Sequence, residues 1–89
     1  MAKSDPREGL NRAIIETIRD LLDAAEMTPT EAARKAGVPT SNLHRAINFE
    51  RAISLADITA LAPLFGLRTS ELLGRAEARI WAQSIDRMK

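Results

Sequence analysis

Residues 28–48, TPTEAARKAGVPTSNLHRAIN, predict a short helix, a tight turn centred on Gly37 and a second short helix. Thr28 caps the first of these, Pro29 suits its first position, and Glu31 completes a T-x-x-E capping box. Ala32, Ala33 and Ala36 give that helix a small, flat inner face. Gly37 stands where the chain must turn with φ > 0, a conformation cheap only for glycine. Val38 supplies an apolar plug just after the turn. Pro39 opens the second helix, with Leu43, Ala46 and Ile47 on its inner face. Thr40, Ser41, Asn42, His44, Arg45 and Asn48 form its outer face. That face is short, polar and cationic, which suits a helix entering the major groove of DNA.

Upstream, Leu10, Ile14, Ile18, Leu21, Leu22 and Ala25 recur at three- and four-residue spacing. They predict one buried face of a helix over about 11–26, with Asn11 as its cap and Ile15 off the stripe and partly exposed. Residues 1–9 contain Pro6 and Gly9 and little that packs, so they read as a flexible arm. Downstream, 49–53 is a loop, and Ser54 caps a fourth helix whose inner face is Leu55, Ile58, Leu61, Ala62 and Phe65. Pro63 removes a helical hydrogen bond at roughly 3 kcal/mol. The helix must therefore kink or end in a distorted turn before Gly66. Thr69, Ser70 and Glu71 start the next helix. Leu72, Leu73, Ala76, Ile80, Trp81, Ser84, Ile85 and Met88 then lie broadly on one side. Gly74 is a candidate break between a fifth helix and a separate C-terminal one. No stretch has the period-two pattern of a strand, so the class is all-α.

With 89 residues this is one domain, and a chain of that size buries only about 60–65% of its unfolded surface. Apolar residues make up 45%, but the aromatic ones are only Phe49, Phe65 and Trp81. The core must come from Ala, Leu and Ile. There is no cysteine, which excludes disulfides and thiolate metal sites. No apolar run approaches the roughly 18 residues of a membrane span. The polar N-terminus lacks a signal peptide's apolar stretch, so the expected location is cytoplasmic. Net charge is only +1, but its distribution is uneven. Glu16, Asp20, Asp23 and Glu26 make the first helix acidic. Arg34, Lys35, Arg45 and Arg51 make the central motif mildly positive. This polarity can orient the domain on a phosphate backbone, or it can be an ordinary solvated mixture.

The central motif resembles the helix-turn-helix of the phage lambda repressor-like family, also called Cro-type or XRE-type domains. Ala33 matches the small residue of the family's first motif helix, Gly37 its turn glycine, and Val38 and Leu43 its apolar anchors. The resemblance continues through Ser54-Leu55-Ala56-Asp57-Ile58, Leu61-Ala62, Leu64-Phe65-Gly66-Leu67 and Glu71-Leu72-Leu73. It implies a compact five-helix DNA-binding domain over 10–74, followed at 75–89 by a helical extension. Pro63 departs from the family's usual helix former. Pro29-Thr30 stands where many members carry a phosphate-touching Gln, and Thr30 is the available substitute.

The resemblance implies that bases are read from Thr40, Ser41 and Asn42, with Arg45 one turn on. Asn pairs bidentately with adenine and Arg with guanine. His44 is a phosphate or base contact, or an exposed bystander. Asn48 and Arg51 fall where members grip the backbone. Arg34 and Lys35 are distal phosphate contacts or solvated. Ile80, Trp81, Ile85 and Met88 either pack onto the first helix or form a dimer interface, which would double the footprint over a palindrome.

The expected function is a sequence-specific regulator on double-stranded DNA, most simply a small repressor that occupies a palindromic operator as a homodimer. No separate ligand domain is expected. No cofactor, metal or membrane partner is expected either, and no nucleophile set or phosphate-binding glycine loop points to an enzyme. Two alternatives share the fold: a DNA-binding antitoxin with a toxin-binding C-terminal segment, and a protein-interaction module that does not bind DNA.

Overall fold

The computed structural model describes residues 9–87. It has five α-helices: α1 (Gly9–Ala24), α2 (Pro29–Ala36), α3 (Thr40–Ile47), α4 (Leu55–Leu61) and α5 (Thr69–Arg87). A 3₁₀ turn over Ala62–Phe65 follows α4, and there is no strand among the described residues. The expected all-α architecture is the observed one.

Side chains start two of the central helices. The Thr28 hydroxyl accepts the Glu31 N–H at 3.1 Å, and the Glu31 carboxylate accepts the Thr28 N–H at 3.1 Å. This is the full capping box, with Pro29 in the first turn. The Ser54 hydroxyl accepts the Asp57 N–H at 3.1 Å and starts α4. Pro63 ends α4 as its chemistry requires. The α-helix stops at Leu61 and tightens into the 3₁₀ turn, which has no need of the missing N–H.

The helix ends share one device. Glu26 (φ 52°), Gly37 (φ 75°), Phe49 (φ 60°) and Gly66 (φ 70°) are all left-handed. At each, the left-handed residue's N–H bonds the carbonyl three back and the next N–H bonds the carbonyl five back. The longer bonds are Met27 to Leu22 (2.9 Å), Val38 to Ala33 (2.9 Å), Glu50 to Arg45 (2.8 Å) and Leu67 to Ala62 (3.1 Å). This Schellman geometry satisfies carbonyls that a helix end leaves orphaned. Gly37 and Gly66 are legible as stops. Glu26 and Phe49 adopt the same conformation without a glycine to mark it.

The first helix departs most from its sequence reading. It begins at Gly9, so Asn11 is not its cap but lies in its first turn, and its Oδ1 accepts the Ile53 N–H at 2.9 Å. Ile15 is fully buried. It sits between Asn11 and Arg19 at four-residue spacing. Arg19 donates to the Ile47 carbonyl, so this row of α1 faces the end of α3 and the loop after it. Ala13, Thr17 and Ile18 are also buried, and α5 packs along α1. A helix covered by two neighbours buries a broad arc, and a single-stripe reading cannot show that. Thr17 is buried without penalty because its hydroxyl donates to the Ala13 carbonyl at 2.7 Å. Leu10 and Ala25, expected in the stripe, are exposed, Ala25 because it lies past the helix end. Leu55 is exposed too, since only the later turns of α4 reach the core through Ile58 and Leu61.

α5 runs through Gly74 without a break, so the fifth helix and the C-terminal extension are one helix. Leu72 and Ala76 are fully buried, Ile80 is half-buried, and Arg79 pairs with Asp20 of α1. The core therefore continues past Gly74. Trp81 and Ile85 lie off this buried seam and are exposed, while Met88 and residues 1–8 of the expected arm lie outside the described residues. No helix of the described residues is long and apolar enough to cross a membrane.

A Cβ at Gly37 would meet nothing within 4 Å, so the penalty for Gly37→Ala is conformational alone. The left-handed cost of about 1–2 kcal/mol is partly offset by about 0.4–1 kcal/mol from a stiffer unfolded chain. Urea denaturation should show a net loss near 1 kcal/mol by the same estimate. Glu26→Gly reverses the signs and should stabilise by somewhat less than about 1 kcal/mol.

The backbone amide and then the hydroxyl of Thr28 hold the Glu31 carboxyl below its ordinary value of 4.5, with smaller help from Lys35 and Arg34. A lowered folded-state pKa gives stability that is present above 4.5 and lost as pH falls through the folded value. Glu31→Gln keeps the box but does not titrate, so it should show a shallower loss of melting temperature on acidification. Equal acid slopes for the two proteins would contradict the assignment.

Candidate nucleic-acid interface

α2, the Gly37 turn and α3 pack as a unit because their inner faces are small or aliphatic. Ala32 and Ala33 are fully buried, Val38 closes the turn, and Leu43, Ala46 and Ile47 anchor α3. With that side fixed, helical geometry dictates what points out. Ser41, His44, Arg45 and Asn48 fall at i, i+3, i+4 and i+7, one row opposite the anchors. Ser41, Arg45 and Asn48 are exposed and His44 is half-buried. Thr40 is exposed at the edge of the row. Asn42 is half-buried on the flank beside Ala46, so it is less outward than Ser41.

Two local features add to this surface. No side chain caps α3, because its N-cap is Pro39, so Thr40 and Ser41 are not occupied in capping. The Thr30 hydroxyl and His44 Nε2 share a hydrogen bond of 3.1 Å. This bond ties the first turn of α2 to the middle of α3 and brings together two of the candidate residues. Arg45 and Arg51 form no ion pair with any described residue, which leaves both guanidinium groups available. Arg51 is half-buried in the loop after α3, while Arg34 and Lys35 are exposed in the last turn of α2.

Sequence reasoning missed two residues behind this surface. Arg19 is one of two cations, with Arg12, set against the acidic residues of the first helix in the sequence, and Asn11 reads as a cap. In the fold Arg19 reaches the end of α3 and Asn11 the loop after it. No short-range signal marks them, because their partners Ile47 and Ile53 are 28 and 42 positions away. A second surface lies elsewhere. Leu10, Glu77, Ile80, Trp81 and Ser84 line a cleft of about 360 Å³ between the start of α1 and the end of α5. Of the expected assembly residues, Ile80 and Trp81 line it, and Ile85 is exposed one turn beyond Trp81.

No protein-family model matches this chain, and neither does any curated protein. Among solved structures it is similar to the crystal structure of the clp gene regulator ClgR from Corynebacterium glutamicum. Identity is 17%, the TM-score is 0.75, and the match covers 92% of this chain and 87% of that one. The two chains share a fold.

Proposed function

We propose that this protein is a sequence-specific double-stranded-DNA-binding transcriptional regulator that acts as a small repressor by occupying an operator. The observation that carries the reading is the outward row of α3. It combines a free guanidinium with hydroxyl, imidazole and amide groups, on a helix whose other side is locked into the core. These groups suit the base edges of the major groove and the phosphate oxygens along its wall. The shared fold with a gene regulator supports the same reading. In it, Arg45 and Ser41 meet bases, Thr40 and Asn42 flank them, and Thr30, His44, Asn48 and Arg51 meet the backbone.

A twofold dimer fits the second surface. Leu10 (45% exposed), Trp81 (69%) and Ile85 (42%) are three large apolar side chains exposed at one end of the molecule. Trp is favoured at the centre of interfaces and is costly to leave in water. A second copy seated there would double the footprint, with two α3 helices about 34 Å apart along the duplex.

Selection of bound sequences from random duplex DNA is the decisive experiment, and a palindrome is the expected result. On the selected duplex, Arg45→Ala should cost roughly 1–3 kcal/mol and relax preference at one position, whereas Arg51→Ala should weaken all duplexes alike and lower the salt slope by about one. Failure to enrich any sequence would contradict the reading. Trp81→Glu should keep the fold, since the side chain is exposed, and abolish self-association. Sedimentation at micromolar concentration tests this, and a wild-type monomer both free and on DNA would exclude the dimer.

A further inference from the structure

Three contacts join one row of α1 to the end of α3 and the segment after it. Arg19 donates to the carbonyl of Ile47, the last residue of α3. Its guanidinium carbon also lies 4.9 Å from the centre of the Phe49 ring. Asn11, eight residues earlier, accepts the Ile53 N–H at 2.9 Å. Ile15 lies between them and is fully buried. One face of α1 thus holds both ends of the 48–53 segment.

The chemistry of the α3 end explains why such a hold is needed. Phe49 occupies the left-handed position of a Schellman cap, which glycine fills after α2. A phenylalanine there is strained, because its Cβ crowds the backbone. Its ring, however, offers Arg19 a flat π-face, which a glycine cannot. A cation at the C-terminal end of a helix also meets the negative end of its dipole. Arg19 therefore opposes the strain from two directions, by stacking on the ring and by satisfying an orphan carbonyl.

We infer that Arg19 is a positioning residue for the outward row of α3: with Asn11, it fixes the end of α3 and the segment bearing Asn48 and Arg51, without itself contacting the ligand. The inference rests on the proposed reading of that row as a DNA surface. Ser41, His44 and Arg45 are then aimed by a contact made at the C-terminal end of the helix.

Arg19→Met is the test, with Arg19→Lys as its control, each in the full chain. The first readout is amide hydrogen exchange without DNA. Phe49 N–H bonds the Ala46 carbonyl at 3.0 Å and Glu50 N–H bonds the Arg45 carbonyl at 2.8 Å. Both should exchange about tenfold faster in Arg19→Met, with Lys intermediate, because the cation at the helix end is lost in one and kept in the other. Unchanged exchange would overturn the positioning role. The second readout is binding to the duplex that wild type selects, at several salt concentrations. Affinity should fall by about tenfold while the salt slope stays the same, since no phosphate contact is lost. A slope reduced by about one would make Arg19 a phosphate ligand and overturn the proposal. If wild type binds no duplex, the reading of the surface fails, and the exchange experiment still decides whether Arg19 holds the α3 end.

Discussion

Burial of α1 on two sides is the constraint from which the rest of the arrangement follows. One side meets α5 along Ala13 and Thr17, and the other reaches the end of α3 through Arg19, with Ile15 fully buried one turn before it. A chain this small has little apolar surface to spare, so an eight-residue helix such as α3 cannot hold itself. Its Leu43, Ala46 and Ile47 need a wall, and α1 helps to provide it. The same helix also receives Ala76 and Ile80 of α5, so the two exposed surfaces of the molecule share one scaffold. Ile15→Ala would remove a fully buried aliphatic side chain from that scaffold, a change of the class that costs about 2–5 kcal/mol.

Local chemistry was legible; chemistry made by distant segments was not. The capping box of Thr28 and Glu31, the Gly37 turn, the Ser54 cap and the break at Pro63 each lie within a few residues of sequence. Each acts through a backbone preference that those residues carry alone. The inner face of α3 was legible for the same reason, since Leu43, Ala46 and Ile47 have helical spacing. Periodicity misplaces Leu10, Ile15 and Leu55 because it gives a direction, not a neighbour. Whether that direction is covered depends on elements tens of residues away.

The helix ends sharpen this distinction. Four segments end in the same left-handed geometry, yet only two use glycine. Glycine marks the conformation because it adopts it at little cost, so its presence is informative. Its absence excludes nothing when a tertiary contact offsets the strain. At Phe49 that contact is Arg19. Glu26 is exposed and takes the same conformation without a comparable side-chain contact among the described residues. A positive-φ phenylalanine beside a cation is thus a sign that position has been favoured over intrinsic preference.

The charge balance gives that preference a physical meaning. With a net charge of +1, the chain has little long-range attraction for a polyanion. Asp20 is engaged by Arg79 and Glu16 lies 3.6 Å from Arg12, so part of the acidic surface of α1 is locally neutralised. What remains is a small set of cations near the motif, too few for tight binding by counterion release alone. For the proposed DNA contact, affinity would have to come from a few well-aimed hydrogen bonds. Each such bond depends steeply on distance and angle. A protein that relies on many phosphate contacts can tolerate a loose recognition helix, whereas one with few cannot. A rigid α3, tied to α2 through Thr30 and His44 and to α1 through Arg19, is what a weakly charged binder would require.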